Sequence, residues 1–266
     1  MALEVTWLGH STVVVDVDGV RVVTDPLVRR HAGLLRRRGR QPSRAAWTGA
    51  DAVLLSHLHH DHAELASLRQ FGGVPVVTAP ANARWARGKG LDARGLGEGE
   101  WFPLTPGGEV AVRLVRAVHG ARPMPHRPNA TSGHLMSAPS GVVWFAGDTE
   151  VHEEMAHLSG LAGRPVDLAV VPVGGWGPRL SPGHMGPTEA AVACRLSGAR
   201  CAVPVHWKTL HVPAGRRLPR GWMDLAGPRF LEEVSREAPG CRAVALELGE
   251  TLVLPPGRPS GQPPSG

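Results

Sequence analysis

No apolar run in the chain approaches the roughly 18 residues that a membrane-spanning helix needs, so nothing in it is expected to cross a bilayer. No C-x-x-C pair, phosphate-binding loop or dinucleotide fingerprint occurs, which leaves redox and nucleotide-cofactor chemistry without support. Cysteine is scarce: Cys194, Cys201 and Cys241 are an odd number in apolar surroundings, as expected of free thiols in a reducing, cytoplasmic setting rather than of a disulfide. Lysine is nearly missing, with only Lys89 and Lys208, so the net charge of +6 rests on arginine. That skew is a weak argument for a nucleic-acid partner and is compatible with an acidic substrate. The opening segment "MALEVTWLGHSTVVV" lacks a basic stretch and a small-residue cleavage site, and is expected to be a first strand rather than a signal peptide.

What is present is a succession of β-branched runs separated by turn residues. "EVTWLG", "STVVVDVDG" and "VRVVTDP" predict three antiparallel strands, with Asp18-Gly19 as a hairpin signal. "DAVLLS" and "VPVVTA" predict strands. "HAELASLRQF" and "ANARWAR" predict helices, and "EVAVRLVRAVH" a further strand. The second half repeats the plan: a hairpin through Pro139-Ser140-Gly141, a helix over "EEMAHLSGL", a strand at "DLAVVPV", and a helix over "GPTEAAVACRLSGA" with Pro187 in its first turn and Gly198 at its end. "CAVPVH" is then a strand, "MDLAGPRFLEEVSREA" mostly helix, and "RAVALEL" a last strand. Residues 255–266, rich in proline, glycine and serine, have the composition of a disordered tail after one domain spanning residues 1–254. Alternating strands and helices with several hairpins indicate an α/β chain, best used as two sheets packed face to face with helices outside.

Four strands end on a group able to bind metal. "AVLLS" delivers His57, "RLVRAV" delivers His119, "VVWFAG" delivers Asp148 and "CAVPV" delivers His206. Ligands collect at the carboxyl ends of strands, where loops converge. The segment "SHLHHDH" adds His59, Asp61 and His62 in an H-x-H-x-D-H pattern, with His60 at a variable position and not expected to ligate. Imidazole and carboxylate suit zinc, while manganese or iron can occupy similar sites. His57, His59 and His119 are expected to hold one ion, and Asp61, His62 and His206 a second, with Asp148 bridging. Two ions about 3.5–4 Å apart share a hydroxide of lowered pKa.

These residues are those of the metallo-β-lactamase superfamily of binuclear hydrolases, which the chain resembles from Val5 to about Leu254. "TWLGHSTVVVDVDGVRVVTDPL", "WFAGDT", "VPVGGWGPR", "HMGPTEAA" and "VPVHWKT" are similar to the branch containing N-acyl-phosphatidylethanolamine phospholipase D and ascorbate-6-phosphate lactonase-like proteins. The resemblance implies an αββα four-layer sandwich, two divalent ions, and the seven ligands named above. It also implies that Asp25, in "TDP", orients a ligand imidazole and that His184, in "SPGHMGPTEAA", faces substrate and donates to a substrate oxygen or leaving group. His10, in "LGHST", matches a family position, though a buried, hydrogen-bonded histidine is an equal reading.

The expected activity is metal-dependent hydrolysis of a phosphodiester, lactone or small ester, with Asp61 helping to hold the nucleophile. Two competing classes are a nuclease and a metal-binding scaffold without activity. A nucleic-acid partner is not expected, because the basic run Arg29–Arg44 lacks interleaved aromatics. That run is either a solvated loop or a surface attracting phosphate or an anionic membrane. Trp176 and Trp207 flank the candidate site, as pocket wall or as core. A homo-oligomer is left open.

Overall fold

The computed structural model describes residues 2–120, 127–128, 130–217 and 219–256. Part of the segment "HGARPMPHRPNATSGH" and most of the expected disordered tail, residues 257–266, lie outside the described residues. In chain order the strands are β1 (Leu3–Gly9), β2 (Thr12–Val17), β3 (Val20–Thr24), β4 (His31–Ala32), β5 (Leu35–Arg37), β6 (Ala52–Leu54), β7 (Val76–Thr78) and β8 (Ala93–Gly95). They continue with β9 (Trp101–Pro103), β10 (Ala111–Arg116), β11 (Ser132–Ala138), β12 (Gly141–Phe145), β13 (Leu168–Pro172), β14 (Cys201–Val205), β15 (Leu210–His211), β16 (Arg242–Ala243) and β17 (Thr251–Leu254). The helices are α1 (Leu65–Leu68), α2 (Pro80–Arg87), α3 (Leu158–Ala162), α4 (Pro187–Ser197) and α5 (Ala226–Glu237).

Two seven-stranded sheets result, in the orders β17-β1-β2-β3-β6-β7-β8 and β16-β14-β13-β12-β11-β10-β9. Each is antiparallel on one side and parallel on the other, where β3-β6-β7-β8 and β12-β13-β14-β16 run together. One core holds Val5, Trp7, Val13 and Val15 of the first sheet with Met136, Val143, Phe145 and Val170 of the second. The alternate residues Val14, Val23 and Val53 face the other way, onto Leu68 of α1 and Ala83 and Ala86 of α2. Phe230 and Val234 of α5 and Ala190 and Cys194 of α4 complete the main core. Period-two alternation with both faces buried explains why β2 reads as an almost unbroken apolar run. The layers are those of an αββα sandwich.

The predicted hairpin turn is present, Asp18 and Gly19 lying at φ 48° and 82°, the conformation a two-residue hairpin favours. Several elements differ from expectation. The helix expected over "HAELASLRQF" starts late, because the amides of His62 and Ala63 both bond the carbonyl of His59 in a tight loop. It begins only after Glu64, whose carboxylate caps the amides of Ala66 and Ser67. "EEMAHLSGL" splits into a 3₁₀ turn, Glu153–His157, and α3. The expected last strand shrinks to β16, and β17, not foreseen, pairs antiparallel with β1. Its four residues are too few for a pattern to stand out.

The basic stretch is not a plain loop. β4 and β5 form a small hairpin, and β5 pairs with β15. Arg37 roots it: the buried guanidinium donates to the carbonyls of Leu8 and Arg29, at 3.0 and 3.3 Å, and also to that of Leu27. Burial without a carboxylate partner pulls this arginine down to about 10, leaving it charged at neutral pH.

Candidate metal centre

Strands of both sheets point their carboxyl ends at one place. Three residues beyond β6, β10 and β12 come His57, His119 and Asp148, and His206 directly follows β14. Tight backbone recurs around the meeting point. His10, Asp25 and His206 lie at φ 52°, 30° and 63°, left-handed values rare for residues with a side chain. Gly147, at φ 65°, precedes Asp148 where an added Cβ would come within 2.8 Å of the Cβ of Ser56.

The seven expected ligands meet there as two groups. Ligand atoms of His57, His59, His119 and Asp148 converge in one, and those of Asp61, His62 and His206, joined by His10, in the other. In each group some side chains follow strands of the first sheet and others strands of the second. Asp148 Oδ2 lies between the groups, 3.1 and 3.2 Å from Nε2 of His62 and His206 and 3.8 Å from Nε2 of His57.

The tautomers follow from the outer hydrogen bonds. Nδ1–H of His57 donates to the Ser56 hydroxyl at 2.9 Å, and that hydroxyl donates to Asp25. Nδ1–H of His62 donates to Asp25 Oδ2 at 2.6 Å. His119 and His206 donate from Nδ1 to the carbonyls of Gly183 and Gly174, at 2.7 and 2.8 Å. With Nδ1 protonated, each of these four rings turns the lone pair of Nε2 inward. His59 is reversed: its Nδ1 faces Nε2 of His57 and His119 at 2.7 and 2.9 Å. Lone pairs so crowded repel unless something positive sits among them.

Charge makes the same demand. Among the described residues, the carboxylates of Asp25, Asp61 and Asp148 pair only with histidines, never with arginine or lysine. Neither oxygen of Asp148 has an aligned hydrogen-bond donor among them, although three imidazoles stand within 3.3 Å of Oδ2. Burial alone would lift Asp61 and Asp148, but the facing histidines hold both well below the usual carboxylate range. Burial alone would pull His62 down, but Asp148, Asp61 and Asp25 lift it well above its ordinary value. His206, likewise opposed by burial, is lifted by Asp148 to about 9. His57 and His59, mainly through burial, go the other way, His59 to about 4. The buried carboxylates thus draw positive charge onto the rings facing them, and imidazole nitrogens and carboxylates converging on the same points are a donor set that fits divalent cations in place of those protons.

His184 is at the rim, half-buried, with Nε2 3.3 Å from Asp148 Oδ2. The carbonyls of Ser181 and Pro182, 3.1 and 3.2 Å from its Nδ1, hold the ring. His10 is fully buried and donates from Nε2 to Asp61 Oδ2 at 2.9 Å. Burial, reinforced by His206, brings it down to about 3, so it is a neutral donor that fixes the carboxylate. His60 lines the outer pocket instead of joining either group. Of the two tryptophans, Trp207 stacks on Trp7 at 5.6 Å in the core, whereas Trp176 lines the pocket. Nothing in the sequence marks the Gly174 and Gly183 carbonyls, because a backbone acceptor has no residue-type signature.

The three cysteines are unbridged, and no helix among the described residues is long and apolar enough to cross a membrane. A family model described as "Beta-lactamase superfamily domain" matches residues 20–207. A metal-dependent hydrolase of Nitratidesulfovibrio vulgaris, strain Hildenborough, is 28% identical over 272 residues, covering 96% of each chain. Among solved structures, Igni18, a metallo hydrolase from the archaeon Ignicoccus hospitalis, superposes with TM-score 0.73 at 20% identity, over 96% of this chain and 99% of that one. An isothiocyanate hydrolase from Delia radicum gut bacteria superposes with TM-score 0.72 at 16% identity, over 95% of this chain and 99% of that one. At these identities the likeness is one of fold.

Proposed function

The chain belongs to the beta-lactamase superfamily, and from that premise we propose that it is a metal-dependent hydrolase of small esters, lactones or phosphodiesters. Two divalent ions, zinc by donor type, would be held by His57, His59 and His119 on one side and Asp61, His62 and His206 on the other, with Asp148 within reach of both. Bound there, such ions supply Lewis acidity and an activated water. The observation that carries this reading is the set of four imidazoles locked through Nδ1 with Nε2 turned inward, three of them onto Asp148 and that of His119 onto His59.

The chain's own groups do the rest. Asp25 and Ser56 fix two ligand rings, as outer partners of metal-binding histidines do. His10 holds Asp61 at one rotamer, so that its free oxygen orients a nucleophile. His184, anchored by backbone carbonyls and open to the pocket, presents Nε2 to the scissile group and donates to a developing oxyanion or leaving oxygen. Membership of the phospholipase D and lactonase-like branch is part of the proposal, resting on the segments quoted above. The unbridged thiols support a reducing, cytoplasmic setting.

Metal analysis of purified protein is expected to find about two ions per chain. Loaded protein is expected to hydrolyse bis-p-nitrophenyl phosphate or a simple lactone, and His57→Ala to abolish this. Fully loaded protein that is inert on both panels refutes the reading, as does metal content well below one ion.

A further inference from the structure

Resting on the hydrolase reading above, we infer that the substrate carries an apolar alkyl or acyl arm, received between the β4–β5 hairpin and the loop after β13. Three of the large apolar side chains that this protein exposes, Leu34, Trp176 and Leu180, are 85%, 41% and 43% accessible. All three line one cavity of about 380 Å³, with His59, Asp61 and His184 on its floor. Isolated exposed apolar residues need no explanation, but three converging over a buried catalytic cluster do. Leu34 approaches from the hairpin tip, and Trp176 and Leu180 from the opposite loop.

The hairpin is a built wall. Its base is held by Arg37 and by pairing with β15. Its turn rests on His60, since a Cβ at Gly33 would sit 3.7 Å from that ring. His60, unassigned by the ligand pattern, thus has a place beneath the wall. The cavity is small among ligand sites, which run from about 300 to 1,000 Å³, so it suits a short arm better than a long one. Among the described residues Arg179 is its one arginine or lysine, too few for a polyanionic strand, whose binding rests on many such contacts.

The test is a series of p-nitrophenyl esters from acetyl to hexanoyl, kept below micelle-forming concentrations, on protein of measured metal content. kcat/KM is expected to rise about three- to four-fold per added methylene, the value of one buried CH₂. Leu34→Asp and Trp176→Ala are expected to flatten that slope while metal content stays the same. Both sites are exposed, so folding is not in question. A flat series in the wild type, or a slope unchanged in both variants, overturns the inference. Loss of hydrolysis across all esters by loaded protein defeats the hydrolase reading instead. The pocket is then decided by binding of the matching carboxylates, acetate to hexanoate, followed by tryptophan fluorescence. Affinity rising with chain length upholds it, and equal affinity overturns it.

Discussion

Asp25→Asn removes one charge and no volume from a fully buried position. In the wild type both oxygens only accept: Oδ1 from the Ser56 amide at 2.7 Å, and Oδ2 from the Ser56 hydroxyl at 2.5 Å and His62 Nδ1–H at 2.6 Å. A carboxamide must place its NH₂ toward one of those donors. If it takes the Oδ1 place, it meets the Ser56 amide, which has no alternative. If it takes the Oδ2 place, His62 must accept on Nδ1 and carry its proton on Nε2, which removes the lone pair from the centre. Either way the ligand ring loses its setting. Loss of such an outer partner lowers metal affinity about 10–100-fold, or about 1.4–2.8 kcal/mol. The assay is competition for zinc against a chromophoric chelator. Asp18→Asn is the control. Asp18 also accepts from a serine amide and hydroxyl, those of Ser140, at 2.8 and 2.5 Å, but no ligand histidine is involved. It is expected to change stability and leave zinc affinity alone. Asp25→Asn protein that binds zinc within about threefold of wild type would refute the tautomer argument on which the site rests.

Gly147→Ala forces a side chain into φ 65° and toward Ser56 and the Ser132 carbonyl, at 2.8 and 3.0 Å; urea denaturation should record a loss of at least about 2 kcal/mol. Arg37→Met leaves the carbonyls of Leu8, Leu27 and Arg29 without their shared donor, and the same measurement should show a loss of about 3 kcal/mol. Because both ligand groups draw on both sheets, stripping the ions with a chelator should lower the thermal midpoint by about 10 °C, restored by adding zinc. An unchanged midpoint would mean that no ion spans the sheets.

The seven candidate ligands were legible because His57, His119, Asp148 and His206 each sit just past an apolar strand, while His59, Asp61 and His62 fall in the H-x-H-x-D-H pattern that follows one of those strands. The αββα layers were legible for the same reason, through β-branched runs separated by turns. What escaped depended on partners distant in sequence. β17 is defined by pairing with β1, and no four-residue pattern announces that. His10 was left undecided because only its contact with Asp61, 51 residues away, separates a positioning donor from a packed core histidine. Within the basic run, Arg37 looks like its neighbours; its burial follows from a hairpin whose partner strand, β15, lies far down the chain. Trp176 and Trp207 were indistinguishable by type, and only packing on Trp7 sent one of them inward.

The rooting of the hairpin by Arg37 has an evolutionary consequence. The anchor and the tip are three residues apart, yet one touches the interior and the other touches almost nothing. On the inference drawn above, replacements at position 34 would alter what the mouth accepts without taxing the scaffold that carries it. A change at that one corner can thus retune the inferred pocket while the buried histidine and aspartate cluster beneath it keeps its setting.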